Sequence, residues 1–276
     1  MTTWLITGSS SGLGRAVASA ALAAGHNVVL TARNPDSLDG ILRQYPATAT
    51  AVPLDVTDPT AVRAAVRAAE DRFGGIDILV NNAGYGLVGA VEEATPKEMR
   101  DLFETNFFGL TSMITAALPG MRARRSGTIV NISSVGARIQ LAGGGLYSAS
   151  KAAVEALSGS LRKEVAELGI RVIVVEPGLF RTDFSGRSLA RSDPAISDYD
   201  SVLRRDSGST SSQRRGDPDR AALALIEAVT ADEPPTLLLL GPDALEGFDK
   251  AQATESAEVK RFTSLTTSTD FIGRPT

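Results

Sequence analysis

Residues 3–25 read TWLITGSSSGLGRAVASAALAAG. Thr3 to Thr7 is an apolar run of strand length, TGSSSGLG (Thr7–Gly14) is a glycine-rich turn, and RAVASAALAAG is an alanine-rich helix that ends at Gly25. Strand, glycine-rich turn and helix in succession form the context in which glycines point to a nucleotide. Glycine lets backbone approach a pyrophosphate closely, and the helix start offers unpaired N–H groups at a positive dipole end. The spacing is G-x-x-x-G-x-G (Gly8, Gly12, Gly14) rather than the dinucleotide fingerprint G-x-G-x-x-G. Taken alone, the stretch also reads as an ordinary tight strand-to-helix turn.

The alternation continues outward from this unit. Asn27 to Thr31 is a second strand, ending in TAR. Folds that bind NAD place an acid at this strand end for the ribose 2′-hydroxyl, whereas a nearby arginine accommodates a 2′-phosphate. Here Ala32 and Arg33 stand in that place, which predicts NADP(H) in preference to NAD(H); a plain surface arginine is the competing reading. Ala49 to Leu54 is a strand followed by Asp55-Val56. Thr57 to Phe73 is an amphipathic helix with Asp58 as N-cap and Pro59 at its first position. Ile76 to Val80 leads into NNAG (Asn81–Gly84). Thr95-Pro96-Lys97-Glu98 is a capping-box signature, opening a long helix to about Arg124 with Asn106 in its middle. Asparagine is a poor helix former, so that side chain either has a task or is satisfied in the core. Thr128 to Ile132, Ile170 to Glu176 and Thr236 to Leu240 complete seven strands. The pattern predicts an α/β fold: a Rossmann-type, doubly wound, parallel seven-stranded sheet in one domain spanning 1–276.

A second stretch carries chemistry. Within SVGARIQLAGGGLYSASK (Ser134–Lys151), Tyr147 and Lys151 are one turn apart on one face if 146–168 is helical. An ammonium so placed is expected to favour the phenolate and lower the tyrosine from about 10, giving a general acid/base near neutral pH. Ser134, at a strand end, offers a hydroxyl to a substrate oxygen. A lone Y-x-x-x-K says little; the glycine turn upstream gives it weight.

Composition narrows the classes. The net charge of −4 leaves no basic footprint for nucleic acid. The chain has no cysteine, which excludes disulfides and thiolate metal sites and fits a reducing, cytoplasmic setting. Its one histidine, His26, lies in a turn, so no metal centre is expected. No basic leader precedes the first apolar run, and no run reaches the roughly 18 apolar residues of a membrane span. From about Leu179 to Gly216 the chain is rich in Ser, Arg, Asp and Gly with little periodicity, which reads as a lid. Phe180, Phe184, Leu189, Ile196, Tyr199 and Leu203 are candidates to line its pocket. The mixed arginines and aspartates around them favour a solvated surface. Asp217-Pro218 caps a helix over 219–230, and a final amphipathic helix runs over about 243–265.

Six motifs together, TGSSSGLG, NNAG, ETNFFG (Glu104–Gly109), NISS (Asn131–Ser134), YSASK (Tyr147–Lys151) and PGLFRT (Pro177–Thr182), resemble those of the short-chain dehydrogenase/reductase family, over about residues 3–182. The resemblance implies a strand order of 3-2-1-4-5-6-7. It also implies hydride transfer between a nicotinamide and a ketone, aldehyde or secondary alcohol, with Asn106, Ser134, Tyr147 and Lys151 as the catalytic set. Of Ser133 and Ser134, the family's spacing to the tyrosine selects Ser134. By the same resemblance Tyr147 is the proton donor and acceptor, Lys151 lowers its pKa and binds the ribose hydroxyls, and Asn106 holds a water that relays protons. Gly8, Ser10, Ser11 and Leu13, with Gly12 and Gly14 in the same turn, would contact the cofactor phosphates and ribose. Asp55 and Val56 would flank the adenine; Asn82, Ala83 and Gly84 would lie beside the adenosine and ribose; Pro177, Gly178 and Thr182 would frame the nicotinamide. A homodimer or homotetramer through the helices 95–124 and 146–168 is implied. The long lid suggests a medium-sized apolar substrate. Two other functions fit the same fold. A non-catalytic NADP(H)-sensing regulator is disfavoured by the retained Tyr147 and Lys151. A nucleotide-sugar dehydratase or epimerase is disfavoured by chain length and glycine spacing.

Overall fold

A computed structural model describes residues 1–271 except 183, 185, 187, 202 and 204–215. Its strands are β1 (Thr3–Ile6), β2 (Asn27–Ala32), β3 (Ala49–Pro53), β4 (Ile78–Asn81), β5 (Gly86–Val88), β6 (Gly127–Ile132), β7 (Ile170–Pro177), β8 (Leu189–Arg191) and β9 (Leu237–Leu240). Seven of these form one sheet in the order β3-β2-β1-β4-β6-β7-β9. Set β5 and β8 aside and this is the implied 3-2-1-4-5-6-7. All its pairings are parallel, with Ile6 opposite both Leu30 and Val80 and Asn81 opposite Asn131. The order reverses beside β1, so a crevice opens at the C-terminal ends of β1 and β4.

Every residue of β1 is buried, because a parallel sheet is covered on both faces. Alternate side chains feed two cores. Trp4, Ile6, Val28, Leu30 and Val130 pack with helix α1 (Gly12–Ala23) and the helix Pro218–Thr230. Leu5, Val29, Leu79 and Ile129 pack with α3 (Pro59–Phe73), α5 (Leu110–Arg124) and α7 (Gly145–Val165).

The predicted caps form. The Asp58 side chain accepts from the Thr60 N–H (2.7 Å) at the start of α3. Thr95 and Glu98 form the reciprocal capping box of α4 (Pro96–Phe103). The single helix expected from there to Arg124 is instead three pieces, because Glu104–Gly109 is a π-helical turn between α4 and α5. The wider turn carries Asn106 inward and seats Gly109 on Val56, where a side-chain carbon would lie 2.6 Å from Val56 Cγ2.

Strands β5 and β8 were not foreseen. They form a parallel pair that ties the segment after NNAG to the lid. The two ends of the lid meet: Phe180 bridges Gly216, and the Arg181 N–H donates to the Gly216 carbonyl (2.9 Å). Asp183, Arg187, Arg204, Arg205, Asp206, Arg214 and Arg215 lie outside the described residues. The final helix spans Pro242–Arg261, shorter than predicted, and a short helix Thr263–Thr267 follows. Among the described residues no helix is long and apolar enough to cross a membrane.

Candidate active site

The nucleotide half is built from two loops held as one piece. After β1 the backbone turns through Gly8 (φ 69°) and Gly12 (φ 55°), conformations that favour glycine. A side chain on Gly14 would overlap Asn82 Nδ2 and the Gly8 carbonyl, so the helix can only start this close to NNAG with glycine there. Thr7 Oγ1 accepts from the N–H groups of both Asn82 and Ala83 (2.9 Å each). In return Asn82 Nδ2 donates to the carbonyls of Thr7 (2.9 Å) and Gly8 (3.2 Å). The Asn82 amide therefore faces the glycine turn and braces it. Ser9, passed over in the sequence, is fully buried; its Oγ donates to the Ile6 carbonyl (2.8 Å) and accepts from the Thr31 N–H (3.3 Å). The signal for it was a hydroxyl residue at the buried end of a strand.

Ser11 is the N-cap of α1, yet its side chain makes no capping bond, and the first turn holds no acid. An anion is accommodated there without displacing a cap or meeting a carboxylate. Ser10, Ser11, Gly12 and Leu13 are half-buried along this edge. Thr182, at the start of the lid, lies against Gly12: its Cβ is 3.4 Å from where a Gly12 side chain would begin. Arg33 is exposed just past β2. Asp55 is held below its ordinary range chiefly by the Thr57 N–H, with the Thr57 hydroxyl and the Arg33 charge adding smaller effects. Val56 is buried under Gly109. Gly178, after β7, donates its N–H to the Leu240 carbonyl (2.9 Å). Its α-carbon is pressed against Asp243, whose carboxylate accepts from the Leu179 N–H (2.7 Å).

The chemistry-bearing side chains meet beside this crevice. Ser134 follows β6 and its Oγ accepts from the Gly136 N–H (3.0 Å). Tyr147, in the first turn of α7, faces the Ser134 hydroxyl, which acts on its phenol. Ser133 turns away, donating to Glu155 Oε1 (2.8 Å), which leaves Ser134 to face the phenol. Lys151 is 4% exposed; its Nζ donates to the Ile132 carbonyl (2.8 Å) and lies 5.9 Å from the centre of the Tyr147 ring. Gly84 packs between Lys151 Nζ and Asn106 Oδ1, at 3.5 and 3.0 Å from where its side chain would begin. Asn106 is wholly buried. Its Nδ2 donates to the Tyr85 carbonyl (2.9 Å) and to Ser150 Oγ (3.1 Å), while Oδ1 accepts from the Tyr85 N–H (3.0 Å). Both N–H bonds of its amide are thereby engaged. The task visible for it is to fasten the Tyr85 backbone to α7.

Burial acts against the lowering of the tyrosine pKa expected from the ammonium. It pushes the Tyr147 phenol up to about 12, against a smaller opposing effect of the Ser134 hydroxyl. Burial likewise pulls Lys151 down to about 8. The ammonium is spent on the Ile132 carbonyl rather than on the phenol oxygen, so loss of solvent decides the titration of both groups. Lining the approach, Phe184 stacks at 5.9 Å from the Tyr147 ring, and Leu189 and Phe184 close over Gly86.

The chain is similar in sequence and fold to known proteins. Residues 2–192 match the family model described as short chain dehydrogenase. A 3-ketodihydrosphingosine reductase of Bacteroides thetaiotaomicron is 39% identical over 252 residues, covering 90% of this chain and 91% of that protein. The crystal structure of a short-chain dehydrogenase from Streptomyces avermitilis superposes with a TM-score of 0.91 at 42% identity, covering 98% of this chain and all of that one (100%). An alcohol dehydrogenase from the archaeon Thermococcus sibiricus, complexed with 5-hydroxy-NADP, superposes with a TM-score of 0.72 at 26% identity, covering 87% and 96% of the two chains. With the family model extending from the first strand into the lid, across both loops of the crevice and the tyrosine helix, this chain belongs to the short-chain dehydrogenase family of oxidoreductases.

Proposed function

We propose that the protein is an NADP(H)-dependent oxidoreductase that interconverts ketones or aldehydes and alcohols, acting on medium-sized apolar substrates. The observation that carries this reading is the Tyr147–Ser134 hydroxyl pair standing one helical turn from the buried Lys151. When bound, NADP(H) supplies or accepts the hydride. The uncapped, acid-free start of α1 and the glycine turn suit the phosphates. Arg33 suits a 2′-phosphate, and a cofactor of this kind is present in the archaeal relative's complex. Lys151 holds the ribose hydroxyls. A phenol that keeps its proton at neutral pH is a proton donor: Tyr147 gives its proton to the carbonyl oxygen, and Ser134 donates a hydrogen bond to the same oxygen as charge develops on it. In the oxidative direction Tyr147 takes the alcohol proton, which requires the positive charge of Lys151 and of the oxidised cofactor to bring its pKa down. Phe184 and Leu189 give the approach an apolar character, which supports an apolar substrate. Exposed Phe108, beside Met99 and Phe103 on the α4–π segment, supports a homodimer or homotetramer.

The test is NADPH and NADH oxidation by the purified protein against a panel of aryl and long-chain ketones and aldehydes, with Tyr147→Phe as control. NADPH consumption that disappears in the variant is expected. Tight NADPH binding with no turnover on any panel member would overturn the reading in favour of a cofactor-sensing protein.

A further inference from the structure

Behind the proposed catalytic set lies a buried cluster that hydride transfer does not call for. Arg138, on the short helix α6 (Gly136–Ile139), grips Glu176 at the end of β7: Nε reaches both carboxylate oxygens at 2.8 Å and Nη2 reaches Oε1 at 2.7 Å. Its Nη2 also lies 3.2 Å from Glu155 Oε2 on α7. Glu176 is fully buried and the Glu155 side chain is 18% exposed. Glu155 thus shares the Arg138 guanidinium with Glu176, and it accepts from Ser133 Oγ at 2.8 Å. The guanidinium stacks 4.9 Å over Phe248 of the final helix.

Each arm of the cluster is anchored next to a site residue or one helical turn from it. Ser133 precedes Ser134, Glu155 is one turn beyond Lys151, and Glu176 precedes Pro177-Gly178. We infer that Glu155 is a positioning residue: through Ser133, Arg138 and Glu176 it holds the strand end, the tyrosine helix and the Pro177-Gly178 turn in mutual alignment, and it does so in its protonated form. This rests on the hydride-transfer reading of the site.

The charge balance supports the protonated form. Arg138 brings one positive charge and Glu176 one negative, so a second carboxylate has no counterpart within the cluster. The other charges facing the cluster are Glu255 on the final helix, which acts on Arg138, and Lys151, whose ammonium is committed to the Ile132 carbonyl. Burial pushes Glu155 up to about 7; Ser133 and Arg138 oppose this, and the neighbouring Glu176 adds to it. Ionisation above neutrality would set a half-buried carboxylate against the fully buried Glu176 and loosen the alignment.

The experiment measures kcat, KM and NADPH Kd from pH 5.5 to 8.5 for the wild type, Glu155→Gln and Glu155→Ala, on a ketone the wild type reduces. Wild-type kcat should fall roughly tenfold as pH rises through the Glu155 transition, the scale on which small misplacements act. Glu155→Gln, which keeps the acceptor for Ser133 and cannot ionise, should lose that fall. Glu155→Ala should lose about tenfold in kcat at every pH, with NADPH Kd changed by less than about threefold. Thermal unfolding gives a readout free of activity. A carboxyl raised from 4.5 to about 7 contributes stability that is full below 4.5 and lost by pH 7, so wild-type Tm should carry a decline across that window that Glu155→Gln lacks. A Glu155→Gln pH profile that superposes on the wild type, with Tyr147→Phe inactive, overturns this inference alone. Absence of turnover by the wild type on every panel member overturns the hydride-transfer reading and this inference with it.

Discussion

At the scale of single residues, desolvation governs the site. Loss of solvent favours the protonated Tyr147 phenol and, at the more completely buried Lys151, the neutral amine. Replacing Tyr147 by Phe should therefore cut kcat by about 10²–10⁴-fold while NADPH Kd, read by fluorescence, stays within about threefold. Lys151 makes a separate prediction. A lysine lowered from 10.5 to about 8 destabilises the fold below pH 8, and that cost is relieved as pH rises toward 10.5. At pH 7 Lys151→Met should raise Tm by at least about 2 °C and abolish turnover, a gain of stability at the expense of function. The proposed preference for NADP(H) is tested at Arg33: Arg33→Ala should weaken NADPH by roughly tenfold or more and NADH far less, as titrations of both would show. Tyr147, Lys151, Ser134 and Arg33 could all be named from the sequence, because each sits in a short local motif. The direction of the Tyr147 shift could not, because spacing along a helix says nothing about how much solvent surrounds the ring.

At the scale of elements, caps and composition were readable and long-range partners were not. Asp58, Thr95–Glu98 and the first glycine turn declare themselves within a few residues. The π turn at Asn106 depends on the Tyr85 backbone, 21 residues upstream, and on Ser150, 44 residues downstream. The grip of Arg138 on Glu176 spans 38 residues. Strand order likewise came from the resemblance, since alternation of strand and helix fixes parallelism but not sequence of neighbours. The tight seat of Gly14 against Asn82 and Gly8 gives a sharp test: Gly14→Ala should lower Tm by several degrees and weaken NADPH at least about tenfold, because α1 must move away from the NNAG loop. A Tm within 1 °C of wild type, by the rule of roughly 2–4 °C per kcal/mol for chains of this size, would show that the loops yield easily.

At the scale of the whole molecule, the sheet is a fixed platform and the crevice, the cluster behind it and the lid are arranged along its C-terminal edge. Exposed Phe108 on the α4–π segment belongs to this scale: Phe108→Glu should shift the wild-type assembly to smaller species in light scattering. The lid has a different status. Its ends are clasped by the Phe180–Gly216 bridge, and its middle is pinned by the β5–β8 pair. A segment whose two ends already touch is a cassette. It can be lengthened, shortened or exchanged at a cost that grows only slowly with length, and the strands on either side need not feel the change. On the proposed activity, a lineage carrying this chain could change its substrate by rewriting one interval of sequence outside Ser134, Tyr147 and Lys151.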